Sequence, residues 1–282
     1  MAIESESATL LDGALRPFPP GQLTRLACGP LRVDVAADAG GRIARISREG
    51  MDWLVGYDDA NAAMIAWGCY PMLPWAGRIR RGRFVFEGRE YRLPINLQGH
   101  AIHGVGFGLP WQIRERQSHC IELSLELPRD GRWPFGGFAL QQIELTDDAL
   151  HCRLSLQAGD VAMPLPVLGW HPWFAKPEQL QFHPGAFYPR DAEGIAVPPT
   201  VAPPPGPWDD CFINHQPVLI HRQGRRLRLT SDCNHWVVYD QPAHATCVEP
   251  QTGPPDAFNL APATLLPHAS IDAWFAMEWL SA

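Results

Sequence analysis

Several features are missing from this sequence, and each absence removes a class of protein. Its seven cysteines (Cys28, Cys69, Cys120, Cys152, Cys211, Cys233 and Cys247) are odd in number, widely spread and include no Cys-x-x-Cys pair. Neither a disulfide framework nor a zinc ribbon is signalled, and a reducing cytoplasm is the expected compartment. Positive charge is in deficit: 23 Lys and Arg against 30 Asp and Glu give a formal charge of -7. Phosphate backbones need a basic face, so no nucleic-acid partner is expected. Long apolar runs are lacking too. The longest uncharged one, Val161 to Ala175, is interrupted by Pro164, Pro166 and Pro172 and is too short to span a bilayer. The opening residues Met1–Ser7 are acidic where a signal peptide would be basic, so the expectation is a protein neither secreted nor inserted in a membrane.

Sustained helical periodicity is also absent, while 29 prolines and 25 glycines supply turns throughout. What remains is the alternation of half-buried strands. Leu31 to Val35 alternates and meets Gly40-Gly41, and Arg42 to Ile46 and Asp52 to Val55 continue in the same style. A hairpin is predicted from Arg83 to Leu93, with Phe84 and Phe86 on one face and a turn at Glu87-Gly88. Ile121, Leu123, Leu125 and Leu127 alternate strictly with polar neighbours. Phe138 to Leu145 and Leu150 to Leu156 pair around Thr146-Asp147-Asp148, and the break at Gln141-Gln142 reads as a bulge. Leu227 and Leu229, Trp236 to Tyr239 and Ile271 to Leu280 bring the candidates to at least ten. Strands without intervening helices define an all-β sandwich or barrel. No internal repeat is visible, the Pro-rich run Val197 to Pro207 is too short for a domain linker, and one domain over residues 1–282 is expected.

The stretch Asn96 to Trp111 carries His100 and His103 beside four glycines and reads as a site-forming loop. Its Gly104-Val105-Gly106-Phe107-Gly108 is not a dinucleotide loop, because Leu109-Pro110 blocks the helix that would have to follow. A histidine pair three residues apart in a non-helical context is a weak metal signal, and no metal is assigned. Four further places gather ionisable side chains beside aromatic rings: Arg78, His171 between Trp170 and Trp173, Asp209 and Glu249. Glutamate at the end of an apolar run is seldom buried unless paired or functional, yet a surface turn is an equal reading. For His171 the stronger reading from the residues is a core histidine bonded to a carbonyl, and for Arg78 to Arg83 a solvated strand face. Tryptophans at 75, 170, 173 and 208 offer indole faces for the C–H surfaces of sugars, whose hydroxyls take directional hydrogen bonds. A small neutral ligand, carbohydrate in particular, fits these sites.

Taken in order, five fragments resemble the aldose 1-epimerase (galactose mutarotase-like) family. They are Leu73-Pro74-Trp75-Ala76-Gly77-Arg78-Ile79 with Gly82-Arg83-Phe84 and Tyr91-Arg92-Leu93; His100-Ala101-Ile102-His103-Gly104 with Trp111; Gly169-Trp170-His171-Pro172-Trp173-Phe174; Asp209-Asp210-Cys211-Phe212; and Val248-Glu249-Pro250 with Asp256-Ala257-Phe258-Asn259. The resemblance runs from about Gly56 to the last strand. It implies a large antiparallel β-sandwich with a sugar site in a concave face. It further implies Glu249 as general base, His171 as general acid, and Arg78, His103 and Asp209 as groups that hold or polarise the sugar, with His100 and Trp173 as further contacts. A carboxylate base and an imidazolium acid on opposite sides of the sugar would serve at neutral pH, since a paired glutamate stays ionised. No cofactor is required by such chemistry.

The chain departs from that family at Gly77, where many members have Asn, and at Pro267-His268, where a Pro-Gly is common. The first is expected to remove a sugar contact and the second to alter a turn. Gly-Trp-His-Pro-Trp also replaces an Asn-His-xxx-Phe pattern, a departure that bears on whether galactose is the substrate. Asp209 is preferred to Asp210 by its spacing to Phe212. Alternatives stay in view: a mutarotase of hexose 6-phosphates, motivated by the Arg78 to Arg83 cluster; a non-catalytic sugar-binding or sensing protein; and a metal-dependent isomerase on a sandwich. A monomer, or a homodimer through an exposed edge strand, is expected.

Overall fold

The computed structural model describes residues 12–281, so the acidic opening segment lies outside the described residues. Among them, two antiparallel sheets of ten and eight strands dominate, with three two-stranded ladders at their margins. Helix among the described residues is confined to Ala257–Leu260 and three short 3-10 turns. The ten-stranded sheet runs Leu23–Cys28, Leu31–Ala36, Arg42–Arg48, Cys69–Met72, Gly169–Ala175, Ala245–Gln251, His235–Tyr239, Asp209–Ile213 and Ala186–Tyr188, with Met51–Asp52 added to Arg42–Arg48. The eight-stranded sheet runs Gln112–Arg116, Cys120–Glu126, Phe138–Leu145, Ala149–Gln157, Ser270–Leu280, Arg225–Ser231, Val218–Arg222 and Gln179–Gln181. The chain is an antiparallel β-sandwich, as its alternating strands and its resemblance both implied.

Aromatic rings from the facing sheets fill the space between them. Phe275 of one sheet lies 5.8 Å from Trp170 and 6.3 Å from Trp236 of the other, and Trp53 meets Trp279 edge-on at 5.9 Å. Each such side chain, removed from water, contributes roughly 1.5–3 kcal/mol. The expected hairpin forms from Arg83–Phe86 and Arg89–Arg92, with Phe84 and Tyr91 stacked at 5.4 Å.

One expectation needs correction. The break at Gln141-Gln142 is not a bulge, for the ladders to both neighbours pass through it in register. Gln141 keeps the inward position and is buried, and its Nε2 donates to the Gly41 carbonyl at 2.7 Å. A polar side chain occupied a core position because a loop carbonyl was waiting for it. Register shifts occur instead between Ile113 and Glu115 and between Asp34 and Val35. His268, standing where a glycine is common in the family, adopts a left-handed backbone with φ 61°, so this departure leaves the turn in place.

Candidate active site

Strand pleating builds the site. In Gly169–Ala175, Trp170 and Phe174 face the intersheet core, so His171 and Trp173 must face away from it. In Ala245–Gln251, Val248 takes the core side and Cys247 and Glu249 the other. Trp236, Val238 and Phe212 likewise face inward, leaving Val237, Tyr239, Asp209 and Cys211 on the outer face. The ladder sets Gly169 opposite Gln251 and Trp173 opposite Cys247, which brings His171 level with Glu249. His171 Nε2 then lies 3.2 Å from Glu249 Oε1, with both residues buried. Above this pair opens a cavity of about 370 Å³, lined by Arg78, His103, His171, Trp173, Asp209 and Glu249 among others. Six of the seven residues singled out in the sequence meet there.

The seventh, His100, does not line the cavity. Its Nδ1 accepts the Arg81 backbone N–H at 3.0 Å, which gives it a structural task in the loop. The other tryptophans also sit elsewhere: Trp75 and Trp170 are core residues and Trp208 packs against the core, so Trp173 alone of the four faces the cavity. Of the arginine cluster only Arg78 reaches it. Arg80 pairs with Asp191 at 2.5 Å and with Glu193 at 3.2 Å, Arg81 also pairs with Glu193, and Arg83 is exposed on the hairpin.

His103 owes its pose to a strained backbone. It is non-glycine with φ 59°, a conformation that costs energy unless the surroundings enforce it. The enforcement comes from Gly77: His103 N–H donates to the Gly77 carbonyl at 3.0 Å, and Gly77 N–H donates to His103 Nδ1 at 3.2 Å. An Nδ1 that accepts leaves the proton on Nε2, so His103 presents a neutral N–H donor, consistent with burial holding its pKa well below the usual value. Gly77 has φ 66°, and a Cβ there would lie 2.7 Å from Pro255 Cβ. The missing Asn is thus part of a tighter local packing. The adjoining Gly104 could carry no side chain either, since its Cβ would fall 1.9 Å from the Leu73 carbonyl oxygen.

Burial governs the central pair. It pushes the Glu249 carboxyl well above the usual range, an effect that neighbouring Asp209 reinforces and Arg78 opposes. It also pushes the His171 imidazole down to about 3. Burial in the open cavity therefore works against the charged form of each member of the pair. The physical cause is that charge taken from water into an apolar wall is costly.

Several contributors were not legible in the sequence. Arg190 lines the cavity and pairs with Asp209 at 2.7 Å and Asp210 at 3.2 Å, so both aspartates considered beforehand face the site and one guanidinium holds them. Arg190 comes from an irregular segment that no periodicity marks. Tyr70 stacks on His171 with centroids 4.7 Å apart. Behind Tyr70 sits Arg42, fully buried, its guanidinium donating to the carbonyls of Ala39, Met64, Trp67 and Phe107 and lying 4.2 Å over the Trp67 ring. Burial lowers its pKa to about 9, which leaves it charged at neutral pH. As for metal ligands, one donor atom each from His171, Cys247 and Glu249 lie within 4.8 Å of one another. His100 and His103 use Nδ1 for backbone contacts instead.

A two-sheet antiparallel sandwich with a polar cavity on the outer face of one sheet defines the class, and comparison with known proteins agrees. A family model described as aldose 1-epimerase matches residues 30–278, and the chain belongs to that family. The uncharacterized protein YphB of Escherichia coli (strain K12) is 34% identical over 152 residues, 53% of this chain and 50% of that protein. The chain spans about half the length of the curated relatives it matches. In solved structures the fold recurs in a galactose mutarotase-like protein from Clostridium acetobutylicum, with TM-score 0.82 and 16% identity over 96% of this chain and 99% of that one. It recurs again in galactose 1-epimerase from Lactobacillus acidophilus NCFM, with TM-score 0.76 and 17% identity over 92% and 94% of the two chains. At these identities the likeness is one of fold.

Proposed function

We propose that this protein interconverts the α and β anomers of a free aldose by general acid and base catalysis. The observation that carries the reading is the buried 3.2 Å contact between His171 and Glu249 at the floor of a cavity whose walls offer hydrogen-bond donors and acceptors in fixed positions. Opening a cyclic hemiacetal removes a proton from the anomeric hydroxyl and adds one to the ring oxygen, so the catalyst gains and loses one proton in the same step. A carboxylate and an imidazole held 3.2 Å apart suit such an exchange. With the proton on His171, Glu249 takes the hydroxyl proton while His171 protonates the ring oxygen, giving the aldehyde with the proton now on Glu249. After rotation about C1–C2 the two groups exchange roles and the ring closes on the other face. Arg78, the His103 Nε2–H and Asp209 hold the hydroxyls, and Trp173 offers an apolar face.

The names of the structural neighbours, one of them a galactose 1-epimerase, support this reading without fixing the sugar. A phosphorylated substrate is less favoured, because Arg80 and Arg81, which motivated it, are engaged with Asp191 and Glu193. Anomer exchange followed by saturation-transfer NMR over a panel of aldoses and their 6-phosphates tests both points. Wild-type protein should accelerate exchange for at least one free aldose, and Glu249→Gln should reduce that rate on the order of a hundredfold to ten-thousandfold. Binding without acceleration for every sugar would establish a sugar-binding or sensing protein instead.

A further inference from the structure

Cys247 stands two residues before Glu249 on the same strand, and pleating turns both side chains to the same face. The proton chemistry uses Glu249 and His171 but gives the thiol nothing to do. Its sulfur nevertheless lies within 4.8 Å of donor atoms on both, and all three residues are buried. A tetrahedral zinc ion with nitrogen and oxygen ligands at about 2.0–2.2 Å sets those ligands roughly 3.3 Å apart. The 3.2 Å between His171 Nε2 and Glu249 Oε1 already has that span, and the sulfur needs only to move inward by a side-chain adjustment. Access is open, for His171 and Glu249 both line the cavity.

We propose that a thiophilic divalent cation, zinc in particular, binds at the floor of this cavity through His171 Nε2, Cys247 Sγ and a carboxylate oxygen of Glu249, and excludes the sugar while bound. Imidazole and thiolate are the ligands such ions prefer over calcium or magnesium. The balance is that one M²⁺ displaces two protons, one from the thiol and one from the His171–Glu249 pair. The resulting thiolate and carboxylate cancel the ion's charge, which a buried site requires. A fourth position faces the cavity and takes water. The exclusion of sugar rests on the epimerase reading, whereas binding of the metal does not.

Equilibrium dialysis of the chelator-treated full chain against Zn²⁺, and optical titration with Co²⁺, test the binding directly. The expected result is one Zn²⁺ per chain and, with Co²⁺, a near-ultraviolet thiolate-to-cobalt charge-transfer band. Cys247→Ala should abolish the band and weaken Zn²⁺ binding by at least about tenfold, since loss of a group that merely orients a ligand already costs that much. If that variant does not fold, dialysis of Glu249→Gln decides, again with at least about tenfold weakening expected. Absence of stoichiometric Zn²⁺, or a cobalt band that persists in Cys247→Ala, overturns the proposal; the second outcome would place the metal at the partly exposed Cys28 or Cys120. Where an accelerated sugar is found, Zn²⁺ should raise its apparent KM in the wild type, and each variant is compared with its own metal-free rate. Failure of every sugar in the NMR panel leaves the dialysis and the cobalt spectrum fully informative.

Discussion

The two sheets of the sandwich are built to different rules. In the eight-stranded sheet, strands such as Phe138–Leu145 and Ala149–Gln157 alternate between buried and more exposed positions, one face on the core and one in water. In the middle of the ten-stranded sheet, Ala245–Gln251 is buried at all seven positions and Gly169–Ala175 at six of seven, because loops cover the face opposite the core. Apart from Ser124 and Gln141, the first sheet buries apolar side chains. The second also buries His171, Thr246, Glu249 and Gln251, with His103 brought against it from a loop. Polar groups taken out of water cost stability unless partnered, so the second sheet holds them against a first sheet that supplies much of the apolar burial.

Truncating the first sheet's contribution should have the largest effect. Phe275→Ala removes a ring that touches Trp170 and Trp236 and should cost about 3–5 kcal/mol in urea unfolding, while activity per folded molecule is retained. Loss of anomer exchange in the still-folded variant would break the division of labour.

A second test reads the buried pair through pH. His171, lowered from 6.5 to about 3, favours the folded state above 6.5, and that contribution is lost as pH falls. Glu249, raised from 4.5, contributes most below 4.5, and its share is lost as pH rises. Between pH 4.5 and 6.5 the two contributions run in opposite directions and offset one another. Glu249→Gln removes the offset, and its stability should fall relative to wild type by up to about 1.4 kcal/mol per pH unit as pH is lowered across that window. Parallel urea midpoints for the two proteins would show that burial does not raise the Glu249 carboxyl.

Gly77→Ala should be milder. The left-handed backbone alone costs about 1–2 kcal/mol for a residue with a Cβ, and the shift against Pro255 should disturb His103 and raise KM more than it lowers kcat. Smallest of all, Arg153→Ala on the solvent face of the eight-stranded sheet breaks a pair with Asp272 in which both side chains are half exposed. It should change stability by less than about 1 kcal/mol and leave anomer exchange unaltered.

This contrast also explains what could be read in advance. Ile121, Leu123 and Leu125 declared their strand because they alternate with polar residues, although Ser124 among these is buried, and the Arg83–Leu93 hairpin declared itself through its turn. Gln141 misled because its partner, the Gly41 carbonyl, lies a hundred residues away in sequence. In the strands covered on both faces, period-two alternation is masked, and there the chemical oddity of a residue was the better guide: a glutamate closing an apolar run, a histidine between tryptophans. His100 shows the limit of that guide, since the same oddity marked a residue whose ring holds up the Arg81 backbone.

The sequence by itself determined the all-β class, most of the strands, the family and the identity of the groups around the cavity, because alternation, turn chemistry and unusual residues are local properties. Only the tertiary structure decided that Arg190 grips both aspartates, that Gly77 sets the His103 tautomer, and that burial works against charge on both His171 and Glu249. Those are matters of cross-strand register and of distance from water, and both arise only when strands distant in the chain are laid side by side.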